Sequence, residues 1–199
     1  MIYLASNSPR RRELLKQIHV RFEPLLFRSG ARADADVNED ALPGEDAFTY
    51  VQRVAMAKAV GGIKRISWRS LPPRLLLAAD TTLELDGAII GKPDNADHAV
   101  DILRSLSGRS HQVLTAVVVG DGQRYAHRLS VSEVRFRAVD EQDIRRYVAS
   151  GEAADKAGAY GIQGRAAVFI EEIRGSYTGI MGLPLFETAA LLQEFGYPL

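Results

Sequence analysis

Apolar and polar positions along this 199-residue chain switch repeatedly between the period of a strand and the period of a helix. Residues 2–5 and 75–79 are continuous apolar runs of strand length, whereas residues 45–59 place apolar side chains on one helical face. The pattern also predicts strands at residues 21–27, 88–90, 111–119, 129–137 and 168–173, and helices at residues 8–18, 95–106, 140–149 and after 184. Strands and helices that alternate in this way, without repeats, are typical of an α/β fold.

Two polar segments interrupt the alternation. Residues 28–44 are rich in Asp and Ala and end in Pro43-Gly44, which predicts a flexible loop. Residues 61–74 are basic and irregular and contain the single Trp68, which predicts a surface linker. Neither segment separates two independent halves, and 46% hydrophobic residues suffice for a substantial core. We therefore expect residues 1–199 to form one domain, with two lobes around a cleft.

The first predicted helix begins with an unusual charge pattern. Ser8 has the preferred identity for an N-cap and Pro9 for the first helical position, yet the first turn that follows contains Arg10, Arg11 and Arg12. Cations are disfavoured at this positive end of the helix dipole. One interpretation is a cradle for phosphate oxygens, formed by backbone N–H groups, the Ser8 hydroxyl and guanidinium groups. The alternative is a solvated helix start whose arginines pair with nearby acids.

The central segment supplies a carboxylate and a lysine. The apolar run 75–79 is followed by Asp80, which we expect at the end of a buried strand, as a general base or metal ligand or, alternatively, as a cap of a turn. Asp86-Gly87 is a strong hairpin signal, and the returning strand leads into Gly91-Lys92-Pro93. The hairpin could bring Lys92 back towards Asp80, where it would bind phosphate.

Two further features are open to two interpretations. Lys58 lies at the end of the apolar helical stripe 45–59, so it points either into a site or along the core surface with its ammonium group in water. Residues 155–164 contain three glycines together with Lys156 and Gln163. Such a loop suits nucleotide contact, whereas plain turn chemistry would explain its glycines alone.

Composition excludes several other classes. The 25 basic and 25 acidic residues cancel, so no global field favours nucleic acid or an anionic membrane. The chain has no cysteine, no apolar run of membrane-spanning length and no signal-peptide pattern, which makes the cytoplasm the expected location. A P-loop motif is absent, and the four histidines lack the spacing of a metal pair.

Taken together, these segments resemble the Maf family of nucleoside triphosphate pyrophosphatases. The resemblance implies a mixed, elongated sheet flanked by helices around a central cleft, similar to inosine triphosphate pyrophosphatases and usually found as a homodimer. It also implies cleavage of a nucleoside triphosphate to the monophosphate and pyrophosphate with Mg²⁺ or Mn²⁺. The matching stretches run nearly end to end: residues 4–15, 79–81, 86–87, 91–93, 106–108, 155–160, 162–164 and 182–185.

The resemblance also implies roles for individual residues. Asp80 would accept the proton of the attacking water, directly or through the metal, and Asp34 is the candidate for a second metal ligand within an acidic region after the second strand. Phosphate binding falls to Ser8, Arg11, Lys58 and Lys92.

Substrate choice is implied by three positions. Arg10, Thr81 and Gln163 match the branch of the family that prefers dTTP and UTP, whereas the branch acting on 7-methyl-GTP has Trp, Gln and Glu there. An amide at position 163 can donate and accept at once, which matches the N3–H and carbonyl of uracil and thymine. CTP and modified pyrimidine nucleotides are further candidates. The family is also associated with inhibition of septum formation, so binding of a cell-division partner is the main alternative from another class.

Overall fold

The computed structural model describes residues 1–25 and 37–199 of the chain. Its strands are β1 Ile2–Leu4, β2 Phe22–Pro24, β3 Leu76–Leu85, β4 Ala88–Ile90, β5 Ser110–Gly120, β6 Tyr125–Phe136 and β7 Ile170–Arg174. Its α-helices are α1 Pro9–Gln17, α2 Ala47–Trp68, α3 Ala96–Leu106, α4 Glu141–Ala149, α5 Tyr177–Ile180 and α6 Leu185–Glu194. Two short 3₁₀ helices occupy Ala157–Ala159 and Arg165–Phe169.

All strands in the described part of the chain belong to one mixed sheet. The order is β2-β1-β3-β5-β6-β7, with β4 paired to β3 beside this path. Strand β1 runs parallel to both β2 and β3, whereas β3, β5, β6 and β7 are successively antiparallel. The sequence-based expectation of a mixed sheet flanked by helices is therefore confirmed. That residues 1–199 form one domain stays a prediction.

Strand β3 is buried on both faces, and its alternating side chains enter different clusters of the core. Leu76 and Ala78 pack with helix α2, whereas Leu77 and Ala79 pack with α1 and α6. Further along, Leu83 enters a third cluster with α3, α4 and the 3₁₀ helices. The period of two that separates these faces is the side-chain period of a strand. Strand β3 thus links the three parts of the described core.

Two predicted boundaries are wrong for physical reasons. Strand β3 does not end at Asp80 but continues to Leu85 and pairs with β5 from Leu76 to Glu84, so a buried polar residue interrupts the apolar pattern without ending the strand. Helix α2 continues to Trp68, so most of the predicted linker at residues 61–74 is helical. Gly62 favours that continuation because it lets the helix approach β3: a Cβ at this position would lie 2.5 Å from Leu76 Cδ1.

Helix starts agree better with the sequence. The Ser8 hydroxyl accepts a hydrogen bond from the Arg11 backbone N–H at 3.5 Å, as expected of an N-cap. Asp140 caps α4 in the same way, and Asp46 caps α2. No helix within residues 1–25 and 37–199 is long and apolar enough to cross a membrane.

Candidate active site

A cavity of about 1050 Å³ opens where β1 leads into α1 and where β3 passes beneath α2. Residues 91–92, 155–157, 160–164 and 180–182 complete its wall. The structure brings together in this wall all but one of the residues expected at the site: Ser8, Arg10, Arg11, Lys58, Asp80, Thr81, Lys92 and Gln163. The exception is Asp34, which lies outside the described residues.

Arg11 is a partly buried cation in the first turn of helix α1. Its Nε donates to the Gly182 carbonyl at 2.7 Å, Nη1 to Ser6 Oγ at 3.2 Å and Nη2 to Thr81 Oγ1 at 3.1 Å. All three acceptors are neutral, and burial lowers the pKa of the guanidinium, an effect that the nearby Asp80 carboxylate opposes. The alternative of a solvated helix start is therefore wrong for Arg11. A desolvated guanidinium without a directly bonded carboxylate is suited to an anionic ligand.

Lys58 points into the cavity and contacts two carboxylates. Its Nζ lies 2.8 Å from Asp80 Oδ1 and 3.0 Å from a Glu39 side-chain oxygen. Asp80 is only 8% exposed and lies within strand β3, so the alternative of a turn cap is wrong. The ammonium group compensates the charge of the buried carboxylate. The ion pair thus holds Asp80 in the cavity wall.

Glu39 was not singled out by the sequence analysis, which named Asp34 as the acidic candidate of this region. Its segment is fixed by α2: the Tyr50 hydroxyl donates to the Glu39 carbonyl at 2.9 Å, and Arg53 donates to the carbonyls of Asn38 and Asp40. Burial, together with the Asp80 and Glu39 charges, raises the pKa of Tyr50 to about 12, so its hydroxyl remains a donor at neutral pH. The sequence signal that could have indicated this contact is the pair of polar side chains, Tyr50 and Arg53, near the start of an otherwise apolar helix.

The glycine-containing loop 155–164 is joined to the β4 end of the cavity. Gly158 donates its backbone N–H to the Gly91 carbonyl at 2.9 Å, which sets Lys92 beside the loop. Gly158 has φ +69°, and a Cβ there would lie 2.1 Å from Leu83 Cδ2, so both conformation and space favour glycine. Lys156 Nζ donates to the Glu152 carbonyl at 2.6 Å and to Asp155 Oδ1 at 2.7 Å, and the second bond lowers the Asp155 pKa.

A pair of aromatic side chains supports this loop from below. Tyr160, in the cavity wall, shares a hydrogen bond of 2.8 Å with His111 Nε2 on β5. Burial lowers the His111 pKa to about 4, so the imidazole is neutral at physiological pH. The histidine is therefore a structural partner of the loop.

Two carboxylates of the cavity, Asp80 and Glu39, lie close enough together to be candidate ligands of a divalent metal. Within the described ranges, no group of three or more His, Cys, Asp and Glu side chains is placed to hold an ion. Asp80 and Glu39 nevertheless approach one ammonium group from two sides. Mg²⁺ is commonly held by one or two carboxylates, with substrate phosphates and water completing its coordination. This donor set fits Mg²⁺ or Mn²⁺ in the presence of a phosphorylated substrate.

Comparisons with known proteins identify the family and support the fold. A family model described as "Maf-like protein" matches residues 1–195, so the chain belongs to the Maf-like protein family. A protein of Aromatoleum aromaticum named dTTP/UTP pyrophosphatase is 66% identical over 199 residues, covering 100% of this chain and 97% of that protein. One of the same name from Dechloromonas aromatica is 54% identical over 196 residues, covering 98% of each.

A solved structure supports the fold alone. The Staphylococcus aureus Ham1 protein superposes with a TM-score of 0.50 at 17% identity and covers 98% of this chain and 96% of its own. The family resemblance and the fold class expected from the sequence are both confirmed.

Proposed function

We propose that this chain is a nucleoside triphosphate pyrophosphatase that hydrolyses dTTP and UTP to the monophosphate and pyrophosphate. The observation that carries the proposal is the buried Asp80 carboxylate, held 2.8 Å from Lys58 Nζ in a cavity that also contains Arg11 and Lys92. This arrangement combines a proton acceptor with cations that can neutralise phosphate charge. The full-length relatives named dTTP/UTP pyrophosphatase support the same activity.

In the proposed reaction, water attacks the α-phosphorus. The new bond joins the water oxygen to phosphorus, the bond from the α-phosphorus to the bridging oxygen breaks, and pyrophosphate leaves with that electron pair. Asp80 accepts the proton of the water. A divalent metal held by Asp80 and Glu39 would supply Lewis-acid polarisation of the phosphoryl oxygens.

The cations act on the rest of the triphosphate. Arg11 offers a planar fork of N–H groups and the Ser8 turn adds the N-terminus of α1, both suited to phosphate oxygens. Lys58 orients the Asp80 carboxylate through their 2.8 Å ion pair, while the exposed Lys92 can bind the departing pyrophosphate. Neutralising the triphosphate in this way lets a nucleophile approach the α-phosphorus.

Pyrimidine preference is assigned to the part of the cavity wall that contains Gln163. Gln163 is exposed at its edge, and its amide can pair with both the N3–H and the carbonyl of uracil or thymine. Arg10 and Thr81 complete the set of specificity residues, and CTP is a further candidate substrate.

The test is turnover by the parent protein and by Asp80→Asn, which keeps the shape of the side chain but removes its charge. Each is incubated with dTTP, UTP, CTP and 7-methyl-GTP in Mg²⁺ or Mn²⁺, and monophosphate, diphosphate, pyrophosphate and phosphate are resolved. We expect pyrophosphate from dTTP and UTP and a loss of at least about 100-fold in the variant. Asp97→Asn, an exposed change on α3 outside the cavity wall, should leave turnover unchanged.

Other outcomes would revise the proposal in defined ways. Preference for 7-methyl-GTP would contradict the role of Gln163 but retain the mechanism. No turnover of any nucleotide would favour partner binding. In cells, an effect on septum formation that survives Asp80→Asn would have to arise from binding and not from hydrolysis. A homodimer in the cytoplasm completes the proposal, and sedimentation of the purified protein tests the dimer.

A further inference from the structure

Thr115 is a fully buried hydroxyl residue directly behind the cavity wall. It lies in the middle of β5, opposite Thr81 in the β3 to β5 register, and its exposure is 0%. Thr115 Oγ1 donates to the Gly179 carbonyl at 2.8 Å and lies 2.9 Å from Thr81 Oγ1. A threonine hydroxyl has one hydrogen, and a carbonyl can only accept. The hydrogen between the two threonines therefore belongs to Thr81.

This assignment sets the direction of the next hydrogen bond. Because Thr81 donates its hydrogen to Thr115, its remaining lone pairs can only accept, and Arg11 Nη2 donates to them at 3.1 Å. The chain runs in one direction, from the Arg11 guanidinium through Thr81 and Thr115 to the Gly179 carbonyl. While it is intact, the Thr81 hydroxyl has no hydrogen left to offer a substrate.

Both ends of this chain of hydrogen bonds lie at the same short segment, residues 179–182. The Gly182 carbonyl accepts from Arg11 Nε at 2.7 Å, and the Gly182 N–H donates to the Gly179 carbonyl at 2.9 Å. Gly182 has φ +108°, and a Cβ there would lie 3.4 Å from Thr81 Oγ1. The segment therefore approaches closely enough to hold the guanidinium from two sides.

We propose that Thr115 is a positioning residue, which fixes Thr81 as an acceptor and thereby orients the Arg11 guanidinium for phosphate binding. Arginine has five N–H donors. Arg11 uses three of them, on Gly182, Ser6 and Thr81. Among the contacts of the described residues, this leaves one N–H on Nη1 and one on Nη2. Two N–H groups on adjacent nitrogens match two oxygens of one phosphate. The inference rests on the proposed function, because it assumes that Arg11 binds a phosphate of the substrate.

The positioning role of Thr115 also changes the interpretation of Thr81. The sequence analysis assigns Thr81 to substrate choice, and direct recognition of a base by its hydroxyl would need a free hydrogen or a ligand donor. Because the Thr81 hydrogen is donated to Thr115, the Thr81 hydroxyl can only accept a hydrogen bond from a donor on the ligand. Thr81 therefore acts first on Arg11, and through Arg11 on the phosphates.

The test compares Thr115→Val, which keeps the shape but removes the hydroxyl, with Thr115→Ser, which keeps the hydroxyl. The measurements are binding of inorganic pyrophosphate by calorimetry and kcat/KM for dTTP. We expect Thr115→Val to weaken both by about tenfold or more, since misplacing a binding group by a fraction of an ångström has effects of this size. Thr115→Ser should retain most of the parental values.

Two controls separate positioning from general packing. Thr188→Val makes the same chemical change at a buried hydroxyl on α6 that has no hydrogen-bond partner in the described ranges, and it should leave both measurements unchanged. In an Arg11→Lys background, Thr115→Val should have less than a twofold further effect, because the group that it orients is gone. An equal effect in both backgrounds would overturn the proposal.

The remaining outcomes are also decisive. If Thr115→Val does not fold, Thr81→Val removes the same hydrogen bond from the partly exposed end, and the same contrast with Thr81→Ser is expected. If the parent binds pyrophosphate but does not cleave dTTP, the proposed function fails, and the loss of binding in Thr115→Val still tests the positioning role. If the parent neither binds nor cleaves, both proposals are wrong.

Discussion

At the scale of single residues, the site depends on charges that are taken out of water and then only partly compensated. Asp80 is paired with Lys58, whereas Arg11 contacts only a carbonyl and two hydroxyls directly. A buried pair loses much when one partner is removed, since the other charge is left uncompensated. The unpaired guanidinium instead gains a partner when a phosphate arrives. The two cations therefore have different roles, one structural and electrostatic, the other directed at the ligand.

His111 gives a pH-dependent prediction at this scale. Its pKa is about 4 in the folded protein and about 6.5 unfolded, so the unfolded state binds more protons between these values. The free energy of unfolding should therefore fall as the pH falls, by roughly 2 kcal/mol from this residue between pH 7.5 and pH 5. Urea unfolding of the parent and of His111→Gln at both pH values measures the difference.

The comparison isolates the imidazole because the variant keeps all carboxylates, whose own contributions cancel. Glutamine retains a group that can bond to Tyr160 but does not titrate in this range. Equal pH dependence in the two proteins would contradict the burial of a neutral histidine beneath the loop.

At the scale of elements, α2 is the part of the fold that the sequence predicted least completely. Its apolar stripe predicted the first half, including Lys58, but the glycine and basic residues after it lowered the local helical signal, and the Asp46 N-cap was not predicted. Tertiary packing decides the outcome there, because Gly62 lies against Leu76 of β3. A pattern of residue types along one element does not contain such a contact.

The same limit explains which site residues were found. Arg11, Asp80 and Lys92 stood in short motifs with recognisable turn and strand signals, so they could be predicted from sequence. Glu39 depends on α2 side chains that hold its backbone, and Thr115 depends on cross-strand register. Neither of these contacts can be predicted from the spacing of residues within one short segment. Strand β3 shows both what the sequence predicts and what it does not: its apolar start could be predicted, but its continuation through Asp80 could not.

Gly62→Ala tests the packing of α2. Alanine would favour the helix by about 1 kcal/mol, but its Cβ would lie 2.5 Å from Leu76 Cδ1 in a fully buried region. Overpacking of a core costs about 1–3 kcal/mol, so we expect a net loss of roughly 1 kcal/mol in the free energy of unfolding. Gly91→Ala, where a Cβ meets nothing within 4 Å, is the matched control and should change stability by less than about 0.5 kcal/mol. A gain in stability for Gly62→Ala would contradict this expectation and show that the Leu76 side chain can change its rotamer at little cost.

At the scale of the whole molecule, the net charge of zero hides a local concentration of cations. Among the described residues of the cavity wall, five side chains are cationic and three are carboxylates: Arg10, Arg11, Lys58, Lys92 and Lys156 against Glu39, Asp80 and Asp155. Charges on the outer surface are screened beyond about 8–10 Å at ordinary ionic strength. Attraction of a multiply charged phosphate ligand should therefore come from the cavity and not from the molecule as a whole.

This distribution predicts how salt acts on pyrophosphate binding, measured by calorimetry between 50 and 500 mM KCl. The parent affinity should fall about tenfold over this range, because added ions screen the partly open cavity. Lys92→Gln should weaken binding at low salt and reduce the salt dependence, since Lys92 lines the cavity and is exposed to solvent. Lys64→Gln removes the same charge from an exposed position of α2 outside the cavity wall and should change neither quantity. If both lysine variants reduced the salt dependence equally, a diffuse surface field would replace the local one, and the neutral overall composition would no longer account for selective capture of the anion at this site.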